Sequence, residues 1–146
     1  MTGFEIRIAS FDELDKRTAY LLFALRESVF VVEQSCPYPE LDGRDLEPGT
    51  RHVWVQHDGS PVAYLRILED AGEARIGRVL VARSHRGQGL ADALMRAALA
   101  QIGARAMRLD AQSYLAGWYT RFGFEQSGDE FLDDGIPHVP MKRSVI

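Results

Sequence analysis

A glycine-rich turn past the middle of the chain constrains the fold more than any other feature. Residues 79–91 read Val-Leu-Val-Ala-Arg-Ser-His-Arg-Gly-Gln-Gly-Leu-Ala, which predicts a β-strand, a tight turn and the start of an α-helix. The first backbone N–H groups of a helix have no partner within the helix, and the helix dipole adds positive charge there. Gly87 and Gly89 let that backbone approach an anion closely, and Arg86 adds a permanent positive charge. The turn is therefore predicted to bind phosphate, and the pattern favours a pyrophosphate.

Two common phosphate-binding loops do not fit this turn. A P-loop has Lys and then Ser or Thr after its last glycine, whereas Leu90 follows Gly89 here. The dinucleotide-binding loop has three spaced glycines in an early βαβ unit, whereas the strands before this turn are predicted to form hairpins. The pattern that fits is Arg-x-x-Gly-x-Ala, from Arg86 to Ala91. A glycine turn that merely begins a helix is the structural alternative.

The composition predicts one globular domain, residues 1–146. Hydrophobic residues make up 46% and charged residues 26% of the chain, which is typical of a soluble protein with a substantial core. The net charge of −4 argues against a general nucleic-acid-binding protein, and no apolar run is long enough to span a membrane. The first residues do not resemble a signal peptide, and the single cysteine, Cys36, suits a reducing compartment. We therefore expect a cytoplasmic protein with neither nucleic acid nor membrane as a partner.

The order of the predicted elements indicates an α+β fold. Alternating and helical patterns of apolar residues predict strands at 5–9, 52–56, 61–68, 73–81, 107–111, 124–131 and 138–141, and helices at 20–32, 90–102 and 115–122. Ser10 and Glu13 form a candidate capping box ahead of the first helix. Turn signals at 58–59 and 71–72 join three successive strands into antiparallel hairpins.

This element order and the turn motif together resemble the GNAT superfamily of acetyltransferases. The segment from Arg86 to Ala91 is similar to the family's acetyl-coenzyme A signature, and residues 118–124 are similar to its aromatic-Tyr-x-x-x-Gly-Phe segment. Three further strings, at 25–38, 41–45 and 134–138, resemble the ElaA-like subfamily of acyltransferases. The resemblance implies a mixed, mainly antiparallel central sheet of about six or seven strands, flanked by helices and splayed at the acyl-coenzyme A slot.

The resemblance also implies which residues hold acetyl-coenzyme A, the acyl donor, and it implies no metal. The backbone of Val79, Leu80 and Val81 would pair with the pantetheine arm. Backbone N–H groups would hold the pyrophosphate at Arg86, Gly87, Gln88, Gly89, Leu90, Ala91 and Asp92. Gln112 stands where relatives often have a coenzyme-contacting Asn. Asp92 stands where many relatives have Arg or Lys, and we expect its negative charge to weaken coenzyme binding.

The chemistry implied by the resemblance is direct transfer of an acetyl group to an amine, without an acyl-enzyme. Tyr119 aligns with the tyrosine that relatives use as the general acid for the leaving thiolate. Met107 stands where some relatives carry a carboxylate base, so the base is open among Glu33, His52 and His138. A structural or solvated role is the alternative for each of these three side chains.

The acceptor is expected to be a small-molecule or peptide amine. We predict that its pocket opens near Tyr119 and is lined by Glu33, Tyr38, His52 and His138. Acidic residues in the following loop would suit a cationic amine, although a solvated loop explains them as well: Glu40, Asp42, Asp45 and Glu47. Two other functions stay open, a catalytically silent acyl-coenzyme A-binding regulatory module and a binding protein with an unrelated ligand. Many relatives are dimers, so a homodimer is a further expectation.

Overall fold

The computed structural model of the chain describes residues 3–35 and 39–144. Within them the strands are β1 (Phe4–Ala9), β2 (Arg51–His57), β3 (Ser60–Asp70), β4 (Glu73–Val81), β5 (Met107–Gln112), β6 (Glu125–Gln126), β7 (Phe131–Asp133) and β8 (Ile136–Arg143). The α-helices are α1 (Lys16–Arg26), α2 (Leu90–Ile102) and α3 (Ala116–Thr120). Helix α1 runs directly into a π-helical segment, Glu27–Glu33.

The strands form one sheet in the order β1-β2-β3-β4-β5-β8-β6, and β7 also pairs with β8. Every strand pairing is antiparallel except that of β4 with β5. The predicted α+β class and the mainly antiparallel mixed sheet are therefore confirmed. The sheet has eight strands rather than six or seven, because residues 124–131, predicted as one strand, supply only β6 and the first residue of β7.

The first helix begins earlier than its apolar spacing predicts. Helix α1 starts at Lys16 because the side chain of Asp15 accepts the backbone N–H of Thr18 at 2.7 Å and so caps the first turn. The capping box is confirmed in a different role. The backbone N–H of Ser10 donates to Glu13 at 2.8 Å, but the pair closes a short 3₁₀ turn ahead of Asp15 rather than starting α1.

The two faces of the sheet carry different cores. Under α2 and α3 lies an apolar cluster that includes Val53, Leu65 and Leu94, and under α1 lies a smaller cluster that includes Trp54 and Tyr64. Successive residues of a strand point to opposite faces, so β2 and β3 supply both clusters alternately. Both faces of the central strands are therefore covered.

Strand β4 contains a bulge that changes which face its side chains reach. Its pairing with β3 steps from Gly77 opposite Arg66 to Leu80 opposite Tyr64, which inserts one extra residue on β4. Ile76 therefore packs under α2, whereas Leu80, four residues later, packs under α1. In a regular strand these two side chains would share a face.

Candidate functional site

Strands β4 and β5 splay apart beside a cavity in the described structure. These parallel strands pair only at Ala74 with Met107 and at Arg75 with Arg108, and they diverge beyond that point. A cavity of about 820 Å³ opens beside the diverging part of β4. Its walls come from the π-helical segment, β4, the glycine turn, β5, α3 and the β7–β8 hairpin. The predicted slot is therefore present in the fold.

The bulge of β4 lies on the wall of this cavity. Arg78 has a φ of 54°, a left-handed conformation that non-glycine residues seldom adopt. Its guanidinium donates to the side chain of Glu40 at 2.8 Å and to the backbone oxygen of Glu40 at 3.1 Å. These contacts stabilise the strained backbone in a stretch where β4 does not follow regular ladder pairing.

The glycine turn adopts the conformation that its sequence predicts. Gly87 and Gly89 have φ values of 80° and 78°, and a Cβ built on either would meet no atom within 4 Å. The two glycines therefore border open space. Gly89 also occupies the N-cap position of α2, so among the described residues no side chain caps this helix, whereas Asp15 caps α1. The first N–H groups of α2 are left available to an anion.

Arg86 makes contacts within the protein that the sequence did not reveal. Its Nε donates to the carbonyl oxygen of Val81 at 3.0 Å, and its two terminal nitrogens donate to Glu33 at 2.6 and 2.9 Å. This bidentate pair joins the glycine turn to the end of the π-helical segment. Its hydrogen bonds lower the pKa of Glu33 below the usual range, which disfavours Glu33 as a proton acceptor.

The prediction that His52 lines the acceptor pocket is wrong. His52 is fully buried, its Nδ1 lies 2.6 Å from the hydroxyl of Tyr64, and its Nε2 lies 3.2 Å from the carbonyl oxygen of Asp45. The alternation of β2 points its side chain beneath α1 and the following loop, away from the splayed strands. Burial lowers the pKa of His52 and so favours the neutral ring.

His138 lies on the cavity wall in a defined orientation. Its Nδ1 is 2.7 Å from the carbonyl oxygen of Ile136, and its ring stacks on Phe131 with centroids 5.8 Å apart. A carbonyl oxygen only accepts, so Nδ1 carries the proton in this contact. Nε2 of the neutral ring then has a free lone pair, which is what a general base requires.

Tyr119 lies on the same wall and is 6% exposed. Its ring packs edge-on against Trp118 and Phe124, with centroids 4.8 and 6.3 Å away. Burial, with a smaller contribution from Tyr114, raises the pKa of Tyr119 above its ordinary value. The phenol therefore stays protonated at neutral pH, as a proton donor must, although the same burial makes it a weaker acid.

The other predicted site residues divide into two groups. The cavity wall includes Glu33, Val79, Leu80, Val81, Arg86, Ala91 and Gln112. Off the wall lie Gly87, Gln88, Gly89, Leu90 and Asp92, of which Leu90 is a core residue that is 1% exposed. Tyr38, predicted for the acceptor pocket, lies outside the described residues, as does Cys36.

A ring of alternating charges beside the cavity is what sequence reasoning missed. Six side chains form it, and each guanidinium lies between two carboxylates. In order around the ring they are Arg26, Asp45, Arg66, Asp42, Arg78 and Glu40. Nitrogen–oxygen distances between neighbours run from 2.5 to 3.5 Å. We call these six residues the charge ring.

The charge ring changes the interpretation of the acidic loop. Glu40 and Asp45 are 6% and 4% exposed, so they are neither solvated nor presented to a cationic acceptor. Burial alone would raise the pKa of Asp45, but Arg26 and Arg66 outweigh it and lower that pKa. The signal in the sequence was Arg26 and Arg66, each a charged residue within an apolar stretch.

Two properties of the described residues bear on metal and membrane partners. Across residues 3–35 and 39–144 there is no group of three or more His, Cys, Asp or Glu side chains placed to hold a metal ion. Over the same residues, each helix is too short or too polar to cross a membrane.

The chain is similar in sequence to proteins of a known family. A family model described as an acetyltransferase (GNAT) domain matches residues 24–145. A UPF0039 protein of Mycobacterium tuberculosis is 54% identical over 136 residues, which cover 90% of this chain and 87% of that protein. Protein ElaA of Escherichia coli is 39% identical over 141 residues, which cover 92% of each chain.

Solved structures extend this similarity to three dimensions. The crystal structure of an acyl-CoA N-acyltransferase from Pseudomonas aeruginosa matches with a TM-score of 0.91 at 38% identity, covering 97% of this chain and 99% of that one. The crystal structure of Escherichia coli ElaA also matches with a TM-score of 0.91, at 36% identity and the same coverage. These matches confirm both the expected fold and the expected ElaA-like character.

Proposed function

The chain belongs to the GNAT acetyltransferase family, and from that membership we propose that it transfers an acetyl group from acetyl-coenzyme A to an amine by direct attack. The observation that carries the proposal is the junction of the splayed β4–β5 slot with an uncapped helix N-terminus. The first fits an extended chain and the second fits a pyrophosphate. The whole described sheet is continuous, which supports residues 1–146 as one acetyltransferase domain.

The coenzyme fits the residues present at this junction. Gly87 and Gly89 border open space and have positive φ, so the turn can present backbone N–H groups to phosphate oxygens without a side chain in between. The backbone of Val79 to Val81 lies along the slot, where it can pair with the amides of the pantetheine arm. When bound, acetyl-coenzyme A supplies the thioester whose carbonyl carbon is attacked.

Two side chains on the cavity wall suit the proton transfers. In its neutral form His138 has its proton on Nδ1, so Nε2 can accept a proton from the attacking amine, directly or through water. Tyr119 keeps its proton at neutral pH and can donate it to the leaving thiolate. Of the three candidate bases, His138 is favoured because Glu33 is paired with Arg86 and His52 is buried away from the cavity.

The acceptor is proposed to be a small-molecule or peptide amine. Because the acidic loop is committed to arginines, the structure no longer supports a cationic acceptor on the grounds of that loop. A cytoplasmic location, a homodimer and the absence of nucleic-acid partners stay predictions from the sequence. A screen with polyamines, amino acids, aminoglycosides and peptide N-termini, which detects free thiol released from acetyl-coenzyme A, identifies the acceptor class.

The first test concerns coenzyme binding. We predict that Gly89→Glu abolishes calorimetric binding of acetyl-coenzyme A, because it adds bulk and negative charge beside the proposed pyrophosphate site. Gly72→Glu is the matched control, since Gly72 also has a positive φ, 85°, and open space around it but lies in the β3–β4 turn. It carries similar backbone strain and should bind normally. Normal binding by a folded Gly89→Glu protein would refute the coenzyme site.

The second test concerns catalysis once an acceptor is known. Tyr119→Phe should lower kcat by roughly 10²-fold, the scale of a positioned proton donor, with coenzyme affinity little changed. Tyr20→Phe, at a residue that is 74% exposed on α1, is the control. Binding of acetyl-coenzyme A without turnover on any acceptor would instead favour the silent regulatory module. Wild-type turnover by Tyr119→Phe would show that another group supplies the proton.

A further inference from the structure

Helix α3, which carries Tyr119, depends on other parts of the protein for its orientation. It has five residues, Ala116–Thr120, and no side chain caps its N-terminus within the described residues. A helix of this length is not stable on its own, because nucleation costs more than so few hydrogen bonds return. The direction of the Tyr119 hydroxyl is therefore set by the tertiary contacts of α3.

Asp92 supplies the polar contacts of this helix. The indole Nε1–H of Trp118 donates to Asp92 at 2.9 Å, and the guanidinium of Arg121 approaches the other carboxylate oxygen at 3.4 Å. Across residues 3–35 and 39–144, both side-chain hydrogen bonds that join α3 or its C-cap Arg121 to another element end on Asp92. The Trp118 ring in turn packs edge-on against Tyr119 at 4.8 Å.

We propose that Asp92 is a positioning residue that fixes Trp118 and, through it, the proton donor Tyr119 relative to the coenzyme turn. Asp92 lies in the first turn of α2, three residues after Gly89, so one residue links the proposed pyrophosphate site to α3. Its carboxylate is engaged by two donors, Trp118 and Arg121. The inference rests on the proposed function, because it concerns the orientation of the proposed acid.

The contact itself can be tested without any activity. In an amide spectrum of the nitrogen-labelled protein, the indole N–H of Trp118 should resonate downfield and exchange slowly with water. Asp92→Ala should shift this resonance and speed its exchange, whereas Asp92→Asn, whose side-chain oxygen still accepts, should largely restore it. An unchanged indole resonance in Asp92→Ala would overturn the contact on which the proposal stands.

Kinetics then test the positioning role. Asp92→Ala should lower kcat about tenfold, the effect of one lost hydrogen bond, while the Kd of acetyl-coenzyme A should not rise, because the change removes a negative charge beside the proposed pyrophosphate site. Asp92→Asn should restore kcat. In a Tyr119→Phe background the same Asp92→Ala change should have no further effect, because there is no hydroxyl left to position.

The outcomes separate this inference from the proposed function. If Asp92→Ala lowers kcat by the same factor in the wild-type and the Tyr119→Phe proteins, Asp92 has a merely structural role and the proposal is overturned. An unchanged kcat in Asp92→Ala would overturn it as well. A wild-type chain without turnover on any acceptor would overturn the proposed function, and the positioning role with it. A kcat loss that appears only when Tyr119 is present supports the inference.

Discussion

The two faces of the central sheet are closed by different physical means. Under α2 and α3 the buried side chains are apolar, among them Leu94 and Phe124. Under α1 and the loop that follows it, Arg26, Arg66 and His52 are buried. The charge ring pairs the two arginines, and His52 contacts the hydroxyl of Tyr64 and the backbone oxygen of Asp45. An apolar face loses stability in proportion to the atoms removed, whereas a buried charge becomes unfavourable as soon as its partner is lost.

This difference matters because the charge ring borders the cavity. Its Arg78 lies at the bulge of β4, and Asp42, Arg66 and Arg78 are on the cavity wall. The ring contains three guanidiniums and three carboxylates, so it is neutral as a whole, and each charged group lies between two groups of opposite charge. The polar face therefore contributes part of the cavity wall as well as stability.

The largest effect is expected from breaking the charge ring. Arg26→Ala should lower the free energy of unfolding by about 3–5 kcal/mol, because it removes one of the two ring guanidiniums from each of the buried carboxylates of Asp45 and Glu40. Denaturant unfolding measures the loss. Removal of Asp45 in the same chain should cost clearly less than the sum of the two single losses, because the pair is coupled. Additive losses would show that the ring is not a unit.

Breaking the apolar face is expected to cost about 2–5 kcal/mol without such coupling. Leu94→Ala removes a fully buried side chain of α2 and leaves a cavity among apolar neighbours. Leu94 packs in the cluster under α2, whereas Arg26 is a residue of α1 on the opposite face of the sheet, so their losses should add in the double variant. Strong coupling between Leu94→Ala and Arg26→Ala would mean that the two faces are not independent.

The same contrast explains which parts of the structure the sequence predicted. Apolar periodicity predicts α2 and the strands beneath it, and the glycine turn follows from local residue types. The charge ring escaped prediction because its partners are far apart in sequence. Arg78 and Glu40, for example, are separated by 38 residues, and a charged residue in isolation indicates a solvated position.

Within the candidate site, features set by local residues could also be predicted better than features set by distant ones. The conformation of the glycine turn could be predicted because it depends on the local residue types at 86–92. The acceptor side depends on side chains that several elements bring together, and there His52 was misplaced while His138 reached the cavity wall. The bulge at Arg78 was also missed, because pairing register is decided by packing across strands rather than by the strand's own residues.

The smallest expected effect is on the pH dependence of stability, in which the two faces of the sheet should differ. Burial lowers the pKa of His52, so the unfolded chain takes up a proton at this residue before the folded chain does. The stability that His52 contributes is therefore complete above its unfolded pKa of about 6.5 and is lost as pH falls through the lower, folded pKa. The free energy of unfolding should fall by at most about 1.4 kcal/mol per pH unit from this group.

Leu94→Ala should keep the wild-type pH dependence between about pH 7 and 5, whereas His52→Gln should flatten it. If His52→Gln does not fold, the protonation state of His52 can be read from its imidazole resonances in the wild-type protein. A His52 ring that is charged at pH 6.5 would contradict the prediction.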